Sequence, residues 1–206
     1  MDQFVLIAVA GDLDRSLRGA TLVEFRQETA HRFRAVFVRA DRGLPVTISL
    51  RPERPWVGRP YSRVRRKRDR TTSYAAEVHR ALHDRIVARV RRAGPGRVLR
   101  LEFVGGRALV VELAPHGANL VLIDDEERVR VAAKNPPSAK DRLTAGQPYA
   151  PPAVPDRSLD PLVDDPAVID AAIDAHGSAG ADRPTAVRRA LLGVAKSTAG
   201  ALVEEA

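Results

Sequence analysis

The sequence contains no cysteine. Disulfides, thiolate metal centres and cysteine nucleophiles are therefore excluded. Aromatic residues make up only 4% of the chain, too few for an extended base-stacking platform of the kind single-strand binders use. Phosphate recognition fits this composition better than base reading. Long apolar runs are missing as well. The opening "FVLIAVA", residues 4–10, is far shorter than a membrane span. Asp2 precedes it where a secretory signal would carry positive charge, and Asp12 and Asp14 follow. A soluble, cytoplasmic protein with no membrane partner is the expectation. Histidines number five: His31, His79, His83, His116 and His176. His79 and His83 have the spacing of a two-histidine zinc face, but the glutamate and third ligand of such sites are not evident. They read better as members of an exposed basic face, so neither a metal nor a cofactor is expected.

What the chain has is positive charge. Its 206 residues carry a net charge of +8 and a pI near 10.6, a balance suited to a polyanion. The densest stretch is "SRVRRKRDR", residues 62–70, where Arg63, Arg65, Arg66, Lys67, Arg68 and Arg70 face a single Asp69. Taken alone, such a run is either a solvated loop or an interaction segment. The overall 44% hydrophobic and 29% charged content is that of a folded chain, long enough for one sizeable domain with an appendage.

Residues 2–18 predict an amphipathic helix with Phe4, Ile7, Leu13 and Leu17 near one face, ended by Gly19. "TLVEFRQ", "RFRAVFVR" and "PVTISL" follow as strands; in the second, Phe33, Ala35 and Phe37 alternate with polar positions. Residues 51–70, punctuated by Pro52, Pro55, Gly58 and Pro60, read as a long loop. "SYAAEVHRALHDRIV" then shows helical spacing through Tyr74, Val78, Leu82 and Ile86. Five short strands come next, separated by "GPG", "GGR", "PHGA" and "DDEE" turns, a pattern that predicts an antiparallel meander. The expected class is α+β: a mainly antiparallel β-sandwich flanked by helices, followed by a small helical segment. Residues 134–165, rich in proline and polar groups, read as an ordered wrap that becomes a linker, without helix or strand. One short helix at "PAVIDAAIDAH" and two helical pieces around Gly193 complete the chain.

Two sets of residues carry a family resemblance. "LLGVAKSTAGAL", residues 191–202, resembles a helix-hairpin-helix element, whose hairpin amides hold phosphate at a helix N-terminus; Ala195 stands where that element has a second glycine. More specific are Val111-Glu112-Leu113, Asn119-Leu120-Val121-Leu122 with Asp124, then Pro136-Pro137, Gly146-Gln147-Pro148-Tyr149 and Pro151-Pro152. Together with "LRGATLVEFRQ" near the N-terminus, they resemble the NFACT family, which includes RqcH-type ribosome-quality-control factors and bacterial proteins called fibronectin-binding. The resemblance covers residues 1–152 as an NFACT-N-like domain. A linker at 153–165 and the start of a helix-hairpin-helix-like domain at 166–206 complete the division. Members continue into a coiled-coil arm and a further domain, so the chain reads as ending within its parent.

The resemblance implies a domain similar in fold to the N-terminal domain of formamidopyrimidine-DNA glycosylases, and a non-catalytic role. Family members bind the obstructed large ribosomal subunit, recruit tRNA and support untemplated tailing of the stalled chain; a nascent-chain or accessory quality-control protein is a further implied partner. The implied RNA-binding residues are the six cations of 62–70 with His79, Arg80 and Arg97. The family-motif positions are Gly96, Arg97, Glu112, Leu113 and Asn119. Gly96-Arg97 stands where tail-synthesising members carry Asp-Arg, and Val78-His79-Arg80 where they carry Leu-Arg-Lys. Ala114, Pro115, His116, Gly117 and Ala118 replace Met-Gly-Arg-His-Ser. These departures bear on tailing rather than on the fold. Two other classes stay open: a protein-interaction or adhesion module, and a glycosylase-like enzyme. The second lacks both the N-terminal proline nucleophile, with Asp2 in its place, and the cysteines of a zinc finger.

Overall fold

The computed structural model describes residues 2–60, 72–94, 96–137, 140–153, 159–160, 163–191, 194 and 196–204. The cationic run 62–70, Pro95 and the hairpin residues Gly193 and Ala195 lie outside the described residues. Helix α1 spans Gln3–Leu17. The Asp2 carboxylate caps it by accepting from the Phe4 and Val5 amides at 2.8 and 3.3 Å. Thus the residue that stands in place of a nucleophilic proline serves as a helix cap. The buried stripe is Gln3, Leu6, Ala10, Leu13 and Leu17, at alternating spacings of three and four. The expected face therefore turns: Leu6 and Ala10 enter the core, whereas Phe4 packs against the C-terminal helices. A helix covered on two sides has no single apolar stripe to read.

Strands β1 (Thr21–Thr29), β2 (Arg32–Arg39), β3 (Arg42–Ser49) and β4 (Trp56–Gly58) form an antiparallel sheet in that order. Phe33, Ala35 and Phe37 of β2 are buried as the alternation predicts. The β4 strand corrects the reading of 51–70 as loop throughout. It pairs only Trp56, Val57 and Gly58 with Ser49, Ile48 and Thr47, too short a run for any periodicity to register.

Helix α2 covers Ser73–Leu82, capped by the Thr72 hydroxyl. It stops short of the expected Ile86, because His83 leaves helical geometry and Asp84 adopts a φ of 60°. Ile86 instead bridges Thr21 and is 45% exposed. That bridge links the first sheet to a second, formed in order by β5 (Val87–Arg92), β6 (Val98–Phe103), β7 (Ala108–Glu112), β8 (Asn119–Ile123) and β9 (Val129–Ala132). The predicted meander is present, with every neighbouring pair antiparallel.

Both faces of the second sheet are covered, so β7 and β8 are buried at every position. Leu109, Val111, Leu120 and Leu122 point into the main core with α1, α2 and the first sheet. Ala108, Val110, Val121 and Ile123 point the other way, against Leu143 and Tyr149 of the proline-rich wrap. The wrap contains one turn of helix, α3 (Lys140–Leu143), where neither helix nor strand was expected. Its segment after Gly146 runs along β9, with Arg128 bridging Pro148. Beyond it come α4 (Pro166–Ser178), α5 (Arg183–Ala190) and α6 (Lys196–Glu204). Asp165 and Asp182 cap the first two, each with proline in the first turn. The architecture is α+β: two antiparallel sheets flanked by helices, without closure into a barrel among the described residues.

Candidate nucleic-acid interface

Among the described residues, the implied site residues fall into two groups, one engaged in holding the fold and one nearer the surface. Glu112, at the end of β7, is fully buried. Arg142 of α3 grips it through two parallel bonds of 2.6 and 2.9 Å, and the Tyr149 hydroxyl donates to Glu112 Oε1 at 2.9 Å. Bidentate pairing of this kind satisfies a carboxylate that water cannot reach. Leu113 lies in the main core. Asn119, also buried, spans the start of β8 and the wrap: its Nδ2 donates to the Lys134 carbonyl at 2.8 Å. Its Oδ1 accepts from the Lys134 amide at 3.0 Å and from the Leu120 amide at 2.9 Å. Glu112 and Asn119 thus fasten the wrap to the second sheet, while Leu113 anchors the end of β7 in the core.

The Gly146-Gln147-Pro148-Tyr149 element fastens the wrap in the same way. Gly146 has a φ of 85°, a region that disfavours any side chain. Its amide donates to the Val129 carbonyl at 2.8 Å, and the Val129 amide returns to the Gln147 carbonyl at 2.8 Å. The half-buried Tyr149 ring packs on the outer cluster, and burial beside the Glu112 carboxylate pushes its hydroxyl pKa well up. Tyr149→Ala is expected to cost about 3 kcal/mol, near the low end for aromatic truncation, read as a fall in chemical-denaturation midpoint. A midpoint equal to wild type would contradict the packing.

Gly96 and Arg97 lead into β6. The Arg97 carbonyl accepts from the Leu113 amide at 2.8 Å, which sets 96–97 beside the turn at 114–118. The structure thus brings together the two stretches in which the sequence departs most from the family pattern. His79 and Arg80 lie on α2 instead. His79 Nδ1 accepts from the Phe25 amide at 3.3 Å, and its ring meets His83 edge-on at 4.7 Å. The exposed-face reading of His79 is therefore corrected: the side chain is half-buried and one ring nitrogen is spent on β1. Arg80 is exposed and bonds Glu77, which Arg130 also reaches at 3.2 Å. The Arg80 bond holds the Glu77 carboxyl below its usual pKa. No cluster that could hold a metal ion occurs among the described residues.

The strand arginines do not make one open cationic face. Arg91 pairs with Glu102 at 2.8 Å and Arg92 with Asp160 at 2.5 Å, while Arg100 pairs with Glu127 and approaches Glu102 at 2.9 Å. The Arg100 bond draws the Glu127 carboxyl below its usual pKa. Antiparallel register explains the two Glu102 contacts, since Arg91 faces Arg100 one step from Glu102. Arg142 and Asp160, partners of these networks, were missed in the sequence because both lie in the proline-rich stretch.

No family model matches the chain, and no curated protein matches it in sequence. Solved structures do resemble it. The N-terminal domain of fibronectin-binding protein PavA from Streptococcus pneumoniae aligns with a TM-score of 0.80 at 11% identity, over 100% of this chain and 83% of that one. The N-terminal part of the fibronectin/fibrinogen-binding protein from Streptococcus suis gives 0.77 at 16% identity, over 99% and 79%. The fibrinogen-binding protein from Staphylococcus aureus gives 0.74 at 13% identity, over 97% and 79%. The chain therefore has the NFACT-N-like fold of these N-terminal domains.

Proposed function

We propose that the chain is a non-catalytic RNA-binding module of ribosome-associated quality control, acting in the cytoplasm on the obstructed large ribosomal subunit and on tRNA. The observation that carries this reading is the six-cation run at 62–70 in a chain of net charge +8. The motif resemblance points to the same partner, and the fold is compatible with it. In this reading Arg97 meets tRNA phosphate, with Gly96 standing where tail-synthesising relatives carry Asp. Selection among tRNAs is then weaker than large-subunit binding. No helix among the described residues is long and apolar enough to cross a membrane.

Neutralising Arg63, Arg65, Arg66, Lys67, Arg68 and Arg70 together is expected to weaken RNA binding irrespective of sequence. The slope of log affinity against log salt should become shallower by about 0.7–0.9 for each phosphate that is no longer neutralised. Co-sedimentation with isolated large subunits and filter binding of tRNA across a salt series measure both effects. Unchanged affinity and slope would make the run a solvated bystander.

The descriptions of the solved neighbours as fibronectin- or fibrinogen-binding proteins favour a second reading, a protein-interaction or adhesion module. Surface plasmon resonance against immobilised fibronectin and fibrinogen, beside large subunits, separates the two.

A further inference from the structure

The C-terminus of α1, the β2–β3 hairpin and the residue after β4 enclose an open cleft of about 490 Å³. It is lined by Ser16, Arg39, Arg42, Gly43, Leu44 and Arg59. Half of that lining is arginine and none of it is carboxylate. Arg39 and Arg42 face each other in register across the Ala40-Asp41 turn, an arrangement in which like charges repel. Neither Arg42 nor Arg59 forms an ion pair among the described residues. Arg39 donates through Nη1 to the Arg15 and Arg18 carbonyls at 3.3 and 3.0 Å, leaving its other N–H groups for a ligand. The nearest acidic side chains in sequence lie outside this lining: Asp41 in the turn, Asp14, which pairs with Arg18 and accepts from the Val90 amide, and Asp12, which Arg15 approaches at 3.9 Å.

A second cleft of about 450 Å³ adjoins the first and shares Arg59. Val9, Leu13 and Trp56, the chain's one tryptophan, line it together with one carboxylate, Asp12. Three arginines at one cleft with no carboxylate in its lining favour an anion between them, and arginine binds phosphate through paired N–H groups. A free phosphate would leave the apolar cleft unused. A cationic compartment next to a mostly apolar one, with an aromatic ring and with Asp12 as an acceptor for base N–H groups, matches the alternation of phosphate and base along a single strand.

We propose that these two clefts form a subsite for single-stranded RNA. Arg39, Arg42 and Arg59 take backbone phosphates and an unstacked base lies in the cleft with Trp56. This rests on the RNA reading above, but it uses none of the residues at 62–70.

The test uses the full chain with a mixed-sequence RNA strand of about ten nucleotides, a length within one small domain's site size. The strand is fluorescein-labelled for anisotropy and unlabelled for Trp56 emission. The comparison is among wild type, Arg42→Glu with Arg59→Glu, and the neutralised 62–70 variant; Arg39 is kept because it holds the end of α1. Wild type is expected to bind with a change in Trp56 emission. The double reversal should lose that change and bind about tenfold or more weakly. The 62–70 variant should bind weakly yet still change Trp56 emission at saturation. A double reversal that keeps wild-type affinity and emission change overturns the subsite, while loss in the 62–70 variant alone would leave the RNA reading standing. Absence of any binding by wild type overturns both. If the reversal impairs folding by circular dichroism, Arg42→Gln with Arg59→Gln gives the same decision.

Discussion

Arg142→Met is expected to lower the unfolding free energy by about 3–5 kcal/mol, the loss seen when one partner of a buried ion pair is removed. The reason lies in what it abandons. Glu112 has no exposed surface, and Arg142 supplies two of its bonds, at 2.6 and 2.9 Å. Only the Tyr149 hydroxyl is left to it within α3 and the wrap. A carboxylate cannot be stranded between two apolar layers without local unfolding or water entry. The double variant Glu112→Leu with Arg142→Met should recover much of the loss, because apolar replacements of a whole buried pair are often neutral. A residual deficit is expected from the Tyr149 hydroxyl, which then lacks its acceptor. Urea unfolding of the two variants decides the matter. Equal losses in both would mean that the charge pairing contributes nothing beyond packing.

Arg92→Leu is expected to cost about 3 kcal/mol, with its effect confined to the C-terminal helices. Arg92 at the end of β5 and Asp160 are 10% and 5% exposed at their side chains and lie 2.5 Å apart. Asp160 also accepts from Gln3 Nε2 of α1 at 3.1 Å, and its amide donates to Asp164 at 2.5 Å. This network ties the segment leading into α4 to both α1 and the second sheet. Beyond it the C-terminal cluster, built on Val187, Leu191, Val194 and Ala199, reaches the main domain through Phe4. Without Arg92 the buried Asp160 opposes that docking. Amide exchange should then accelerate across 166–204 while β7 and β8 keep their protection, the result expected of two separate cooperative units. Uniform acceleration throughout the chain would show that the helices and the sandwich unfold as one body.

Much of the fold was legible in the residues themselves. Alternation in "RFRAVFVR" specified which side of β2 is buried, because a strand's period of two leaves no other face for Phe33, Ala35 and Phe37. Turn residues at short intervals delimited the five strands of the meander. The positive φ of Gly146 and the bonded hydroxyl of Tyr149 follow from residue types suited to little else. These features are local, and a local sequence suffices to determine them.

What depends on partners distant in the chain was not legible. Strand β4 exists because Ser49, Ile48 and Thr47 offer it an edge, and three residues carry no period of their own. The α1 stripe turned because the C-terminal helices cover Phe4 from a second side. The sequence counts Arg91, Arg92 and Arg100 as free positive charge, but the β5–β6 register sets Glu102 beside Arg91 and Arg100, the turn before β9 brings Glu127 to Arg100, and Asp160 arrives from a proline-rich stretch to neutralise Arg92. Conversely, Arg39, Arg42 and Arg59 are scattered through the sequence and gather at one cleft only when β3 pairs with both β2 and β4. Composition determined how much positive charge the chain carries. Which of those charges stay available to a partner is decided by tertiary structure, because a carboxylate a few ångströms away cancels what the sequence counts.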